Sequence, residues 1–247
     1  MVLSRMAWPE VDAASRESVV LIPTGSLEQH GPHLPLFTDT LIVTAVAEAV
    51  ERNLADRVLL TPTLWLGASG HHLAFAGSLS NSFEAYIGAV ESVAESLIPH
   101  GFYRFYVLNG HGGNTSPNDL AVRNLKARHP EMTFGQRGYH EFYSADDYAV
   151  LEGPQKTMRH ADEAEVSLIL HLHPELVRTD RLVDDGLAPD PPLQGVVHHF
   201  DEITEHGVLG YGTFAKPGTG KALFESAVGH VTAEIRAIAD GYVLSRG

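Results

Sequence analysis

Residues 25–40, Gly-Ser-Leu-Glu-Gln-His-Gly-Pro-His-Leu-Pro-Leu-Phe-Thr-Asp-Thr, constrain this chain more than any other stretch. They follow Ser18-Val19-Val20-Leu21-Ile22-Pro23, a continuous β-branched run of the kind found in strands buried on both faces. They precede Leu41, Ile42, Ala45, Val46, Ala49 and Val50, which recur at helical spacing, with Thr38 or Asp39 suited to cap that helix. Arg57 to Thr61 reads as a second strand, continued by Leu64-Trp65-Leu66 beyond Pro62, so the unit is β-α-β. A loop held between two buried elements is a costly place for Glu28, His30, His33 and Asp39. A Glu, a His and an Asp converging on a divalent cation would neutralise one another and satisfy their lone pairs.

The alternation continues. Residues 67–80 are too rich in Gly and Ser for a regular element and read as a long loop with functional content. A helix is predicted from Ser82 to about Ile98, then a third strand over 102–108 that runs into Asn109-Gly110-His111-Gly112-Gly113-Asn114. The next helix is expected to start with Ser116 as cap and Pro117 at its first position. Residues 132–135 read as a fourth, shorter strand, and residues 139–148 take no assignment. His160 opens a helix with an apolar interior, residues 184–220 form a Pro-, Gly- and His-rich excursion, and a last helix spans Lys221 to Val243. With no repeat or composition break, residues 1–247 are expected to form one α/β domain. In such folds ligands bind outside the carboxyl ends of the strands, which brings the Glu28 and His111 loops to one rim.

Composition narrows the partners. Asp and Glu number 31 against 17 Lys and Arg, a net charge of -14, which disfavours nucleic acid and anionic membrane. There is no charged leader with an apolar stretch behind it, and no span of roughly 20 apolar residues, so a soluble, cytoplasmic protein is expected. Cysteine is absent, which leaves nitrogen and oxygen as metal donors, and the chain has 15 histidines.

Glu28 and His30, two apart, point to the same side of an extended segment. An Asp at a helix start is often a cap, but a bridging carboxylate there is also held ionised by the helix dipole, so Asp39 can be both. His111 stands between glycines after a strand; the spacing around it matches neither the Walker pattern nor the dinucleotide fingerprint, which sets a phosphate loop below a metal ligand. Glu163 and Glu165 in a first helical turn are expected for dipole reasons alone. His160 is not, and a neutral imidazole beside a metal is a ready proton carrier. His71 and His72 are candidates for substrate contact, His198 and His199 for the surface or a lid, and His171 and His173 for structure.

The residue-25 motif, Asn-Gly-His-Gly-Gly-Asn at 109–114, and His160 with Glu165 five residues on together resemble the creatininase family of metal-dependent amidohydrolases, in order over about residues 18–172. The resemblance implies a three-layer αβα sandwich with a central, mainly parallel sheet, a two-metal site, and a homohexamer built as a trimer of dimers. It implies Glu28, His30, Asp39 and His111 as metal ligands, with Asp39 bridging. Creatinine-hydrolysing members place a Glu two residues after the motif His. Here that position is Gly113, and Glu165 takes the fifth place. Those members also close over substrate with tryptophans, which are absent near 139–142 and just before His160. This argues against creatinine itself.

The resulting expectation is a hydrolase that cleaves a C–N bond of a small amide, cyclic amide or formamide with a bridging water made acidic by two divalent ions, zinc first and manganese or iron(II) after it. His160 serves as proton carrier, with Glu163 the weaker candidate, and His72, Ser78, Gly112, Gly113 and Asn114 contact substrate, the backbone amides of 112–114 steadying an oxyanion. Three other readings stand beside it: a peptidase trimming a mycofactocin-type precursor, a formamidopyrimidine deformylase of flavin or deazaflavin synthesis, and a metal or small-ligand binding protein without turnover.

Overall fold

The computed structural model describes residues 1–187 and 196–242. Residues 188–195 of the expected excursion, and Val243 at the expected end of the last helix, lie outside the described residues. In chain order the elements are α1 (Trp8–Asp12), β1 (Val19–Thr24), α2 (Thr38–Asn53), β2 (Val58–Leu60), α3 (Phe83–Leu97), β3 (Arg104–Asn109), α4 (Thr115–Arg128), β4 (Thr133–Gly138), α5 (Ala145–Tyr148), α6 (Glu163–Leu172), β5 (Asp184–Gly186), α7 (Phe200–Ile203), β6 (Gly210–Tyr211) and α8 (Pro217–Ala239).

The central sheet has the order β2-β1-β3-β4 and is parallel throughout, with Val20 opposite Leu59 on one side and Phe105 on the other. Strand β1 is buried along its whole length, as its β-branched run requires. Its side chains alternate between two apolar layers. Val19 and Leu21 pack into the cluster formed with α2, α6 and α8, whereas Val20 and Ile22 pack against α3 and α4. The three-layer αβα sandwich is therefore present, and the short antiparallel pair β5–β6 stands apart from the main sheet. Among the described residues no helix is long and apolar enough to cross a membrane.

Several boundaries differ from expectation, each for a local reason. Helix α2 begins at Thr38 with Phe37 as N-cap, so neither Thr38 nor Asp39 caps it; Thr38 Oγ1 donates to the Pro35 carbonyl instead. A single 3₁₀ turn over Gly112–Asn114 leads into α4, which places Ser116 and Pro117 inside the helix rather than at its cap. Helix α6 starts at Glu163, not His160, because the Asp162 carboxylate caps it by accepting from the amides of Ala164 and Glu165. Strand β4 runs on to Gly138 in register with Asn109, and the unassigned segment after it holds a 3₁₀ turn and the short α5, capped by Ser144. Leu64 makes only an isolated bridge to Thr24.

This topology fixes where a site can form. The connection leaving β1 carries α2 to one face and leads to β2; the connection leaving β3 carries α4 to the other face and leads to β4. The chain thus departs in opposite directions from the carboxyl ends of two neighbouring strands, a topological switch point with a crevice between them. Thr24 and Asn109 sit side by side there, and everything that follows them lines that crevice.

Candidate metal centre

Strand β1 ends where the motif loop begins, and the loop is held in place by backbone bonds: Glu28 N donates to Leu36 O, and Gly25 N to Leu64 O, both at 2.9 Å. Glu28 and His30 consequently point into the crevice, fully buried. Asp39, one residue into α2, reaches the same place from the helix start. Its Oδ2 accepts from Ser26 Oγ at 2.6 Å. His111 enters from the end of β3, where Gly110 must be glycine, since a Cβ there would lie 2.7 Å from Val43 Cβ and 2.9 Å from Asp39 O. Glu165 arrives from the first turn of α6. Its Oε2 accepts from Ala161 N at 2.5 Å, a bond that Ala161 makes possible by taking a left-handed φ of 51°. That conformation costs a non-glycine residue about 1–2 kcal/mol.

The five side chains meet. Asp39 Oδ1 lies 3.1 Å from His30 Nε2, and Asp39 Oδ2 lies 3.1 Å from His111 Nδ1. His111 Nδ1 also stands 3.2 Å from Glu28 Oε1, and His30 Nε2 stands 3.8 Å from Glu165 Oε2. Two donors bound tetrahedrally to one cation with bonds near 2.1 Å are about 3.4 Å apart. Overlapping triplets from this group and the neighbouring His71, His72 and His160 have donor atoms all within 4.8 Å of one another.

The hydrogen bonds fit a cation as well. His30 Nδ1 lies 3.1 Å from the Glu28 carbonyl and His111 Nε2 lies 3.3 Å from the Ala68 carbonyl, so each ring donates backward and turns its other nitrogen to the carboxylates. Those nitrogens then face carboxylate oxygens at 3.1 Å, a contact that requires either a proton or a metal cation between them. Neither oxygen of the buried Glu28 carboxylate has a well-aligned hydrogen bond; its near neighbours are the imidazole nitrogens of His72 and His111, each 3.2 Å from Oε1. A buried carboxylate with so little hydrogen bonding is expensive in a protein interior, and a bound cation would satisfy it. The titrations agree. Burial opposes protonation of His30, yet Asp39 beside it raises its pKa to about 10; burial likewise opposes His111, which Glu28 and Asp39 hold well above the usual imidazole range. Asp39, despite its burial, is held well below the carboxylate range by His30 and His111. Burial lifts the Glu165 carboxyl to about 8.

His160 and His72 behave differently. His160 is pushed well below the usual range by burial and by the charge on His30, so it is neutral. Gln29 sets both rings. Its side-chain amide donates to the Gly207 carbonyl and to His72 Nδ1, each at 2.9 Å, and its backbone carbonyl accepts from His160 Nε2 at 2.8 Å. His160 is left with Nδ1 facing the cluster, 3.8 Å from Glu28 Oε1. The crevice is a cleft of about 350 Å³, lined also by His71, His140, Gly112, Gly113, Met158, Arg159, Phe200 and Leu209. Phe200 packs against His72 with ring centroids 4.0 Å apart and the rings tilted by 34°.

Three residues expected at the site serve elsewhere. The Glu163 carboxylate accepts from the amides of Glu152 at 2.6 Å and Gly153 at 2.8 Å and does not line the cleft. Residues two apart on a helix point nearly opposite ways, so α6 cannot present both Glu163 and Glu165 to one site. Ser78 Oγ accepts from Gln29 N at 2.9 Å and supports the motif loop from behind. Asn114 ties two loops together, accepting from Ala68 N and donating to the Gly25 carbonyl, each at 2.9 Å, while its own amide donates to His111 O. Of residues 112–114, Gly112 and Gly113 line the cleft and Asn114 does not. In the other direction, Gln29, Arg159 and Phe200 carried no local signal; an amide, an exposed cation and an aromatic in a loop are ordinary until the fold brings them to a cleft.

A parallel α/β sheet with carboxylates and imidazoles gathered at its switch point is the setting of a candidate metal centre. More narrowly, the chain belongs to the creatininase family, whose description is creatinine amidohydrolase and which matches residues 4–235. It is 37% identical over 224 residues to the mycofactocin precursor peptide peptidase of Mycobacterium ulcerans, covering 85% of this chain and 81% of that one. It is 31% identical over 210 residues to the creatinine amidohydrolase of Pseudomonas putida, covering 77% and 78%. Among solved structures, a creatininase variant of the Zn-Zn type superimposes with a TM-score of 0.84 at 29% identity over 95% of this chain and 96% of that one.

Proposed function

We propose that this chain hydrolyses the C–N bond of an amide with two divalent cations, zinc first among them, one held by Glu28, Asp39 and His111 and the other by His30, Asp39 and Glu165. The observation that carries this reading is Asp39, whose two carboxylate oxygens each stand 3.1 Å from a different imidazole. Cations so held supply acidification of water and polarisation of a carbonyl. The chain's own residues do the rest. His160, neutral and anchored at Nε2, offers Nδ1 to take up a proton and pass it to the leaving nitrogen. Gly112 and Gly113, which line the cleft, would offer backbone amides to an oxyanion, and Phe200, Met158 and Leu209 wall the cleft.

Metal content and hydrolysis of an amide panel test the reading. The panel holds creatinine, a formamidopyrimidine and a short peptide. Asp39→Ala and His111→Ala are each expected to abolish turnover with the fold intact by circular dichroism; full activity and full metal content in both would refute it. A second reading, a peptidase acting near the end of a short precursor peptide, is supported by the likeness to the M. ulcerans enzyme. A homohexamer belongs to the same proposal, and light scattering tests it.

A further inference from the structure

We propose that the substrate carries a free carboxylate and that Arg159 binds it, which makes Arg159 the residue that selects among amides; this rests on the amide-hydrolysing reading above. Arg159 lines the same cleft as Glu28, Asp39, His111 and Glu165. Its backbone is fixed, because its amide donates to Asp162 Oδ2 at 2.6 Å and the adjoining His160 exchanges two backbone hydrogen bonds with Leu209. Its guanidinium is exposed and makes no ion pair or hydrogen bond among the described residues. Arg57, Arg104, Arg123, Arg128 and Arg137 are each engaged by a carboxylate, and Arg178, Arg181 and Arg236, which among the described residues also lack an ion pair, do not line the cleft. The position is thus set while the planar fork, suited to a carboxylate in bidentate fashion, is left available.

The charge of the cleft points the same way. Among the described residues its only acids are Glu28, Asp39 and Glu165, and all three belong to the cation cluster. Two divalent cations balance those three negative charges together with the hydroxide that hydrolysis requires, and Arg159 then leaves one positive charge over, in a chain whose net charge is -14. A neutral substrate would leave this local excess uncompensated. A monocarboxylate placed against Arg159 offsets it and turns an amide toward the cluster. At about 350 Å³ the cleft accepts a small acid or the last residues of a peptide.

The test uses the zinc-loaded full chain and two matched substrate pairs: N-formylglycine with N-formylglycinamide, and a hexapeptide with its C-terminal amide. In at least one pair the free acid is expected to be favoured in kcat/KM by about 10- to 100-fold, the range for a hydrogen-bonded ion pair. The pair that shows it identifies the source of the carboxylate, small acid or peptide end. Arg159→Gln should bring that ratio close to one, and Arg159→Lys should restore part of it. Calorimetric binding of N-acetylglycine relative to N-acetylglycinamide should lose the same preference in Arg159→Gln. A ratio near one in both wild-type pairs, or a preference that survives Arg159→Gln, overturns the proposal. If the wild-type chain cleaves no amide at all, the hydrolytic reading falls, and the N-acetylglycine measurement alone decides on Arg159: lost preference supports the carboxylate site and unchanged binding overturns it.

Discussion

The carboxylate of Glu165 faces the imidazole of His30 across 3.8 Å, a little wider than the roughly 3.4 Å between two ligands of one tetrahedral cation. Glu165→Gln is therefore expected to lower the metal content of the purified chain by about one ion and to cut turnover by at least 100-fold, read by elemental analysis and steady-state kinetics. Supplying the acid from the other side will not compensate. A Cβ on Gly113 would lie 2.4 Å from His111 Nε2 and 2.5 Å from the Ala68 carbonyl, so the double variant with Gly113→Glu should stay metal-poor.

Removing metal should cost stability as well as activity. Without cations the buried cluster keeps three carboxylates among imidazoles, and Glu28 has no aligned partner. Dialysis against a chelator is expected to lower Tm, and added zinc to restore it through binding to the folded state. In Asp39→Ala the Tm difference between the two conditions should shrink markedly; an undiminished difference would mean that the metal binds elsewhere.

Gln29 and Gly207 are matched. A Cβ on Gly207 would stand 2.1 Å from Gln29 Oε1, and the residue has a φ of +78°, so Gly207→Ala is expected to destabilise by about 2 kcal/mol or more. Part of that loss comes from collision with Gln29 and part from the backbone. The double variant with Gln29→Ala should recover the first part only, visible as non-additivity in denaturant unfolding.

One acid far from the cluster governs a pH effect. Asp147 accepts from the Ser144 amide and hydroxyl at 2.7 and 2.6 Å and is bonded to Ser226, tying α5 to α8. The Ser144 and Ser226 hydroxyls hold its pKa well below the usual carboxylate range. A depressed folded-state pKa gives stability that is fully present above the unfolded value of about 4 and is lost as pH falls through the folded one. Asp147→Ala should cost about 1 kcal/mol at pH 7. The gap between wild type and variant in urea unfolding should narrow progressively below pH 4.

Much of this arrangement is legible in the sequence alone. Strand β1 announces itself by six consecutive β-branched or apolar positions, and its burial on both faces follows. Glu28, His30, Asp39 and His111 lie in two compact motifs whose residue types have few other uses at a strand end. Legibility failed where direction matters. Glu163 and Glu165 look equivalent in a list of first-turn acids, yet the helix sends one to the amides of 152–153 and the other to His30. Asn114 and Ser78 sit beside functional residues in sequence but spend their polar atoms on neighbouring backbone. Phe200 was hidden for the opposite reason, since its place above His72 depends on a long connection with no periodicity to read.

The same division has a consequence for how such an enzyme changes over time. The groups that make the floor of the cleft come from the loops leaving β1 and β3 and from the first turns of α2 and α6, elements anchored in the two apolar layers, whereas Met158, Arg159, Phe200 and Leu209 come from connections outside the sheet. Reactivity and taste are encoded in separable stretches of chain. Substitutions in one can redirect the catalyst to a new molecule while the other is inherited untouched.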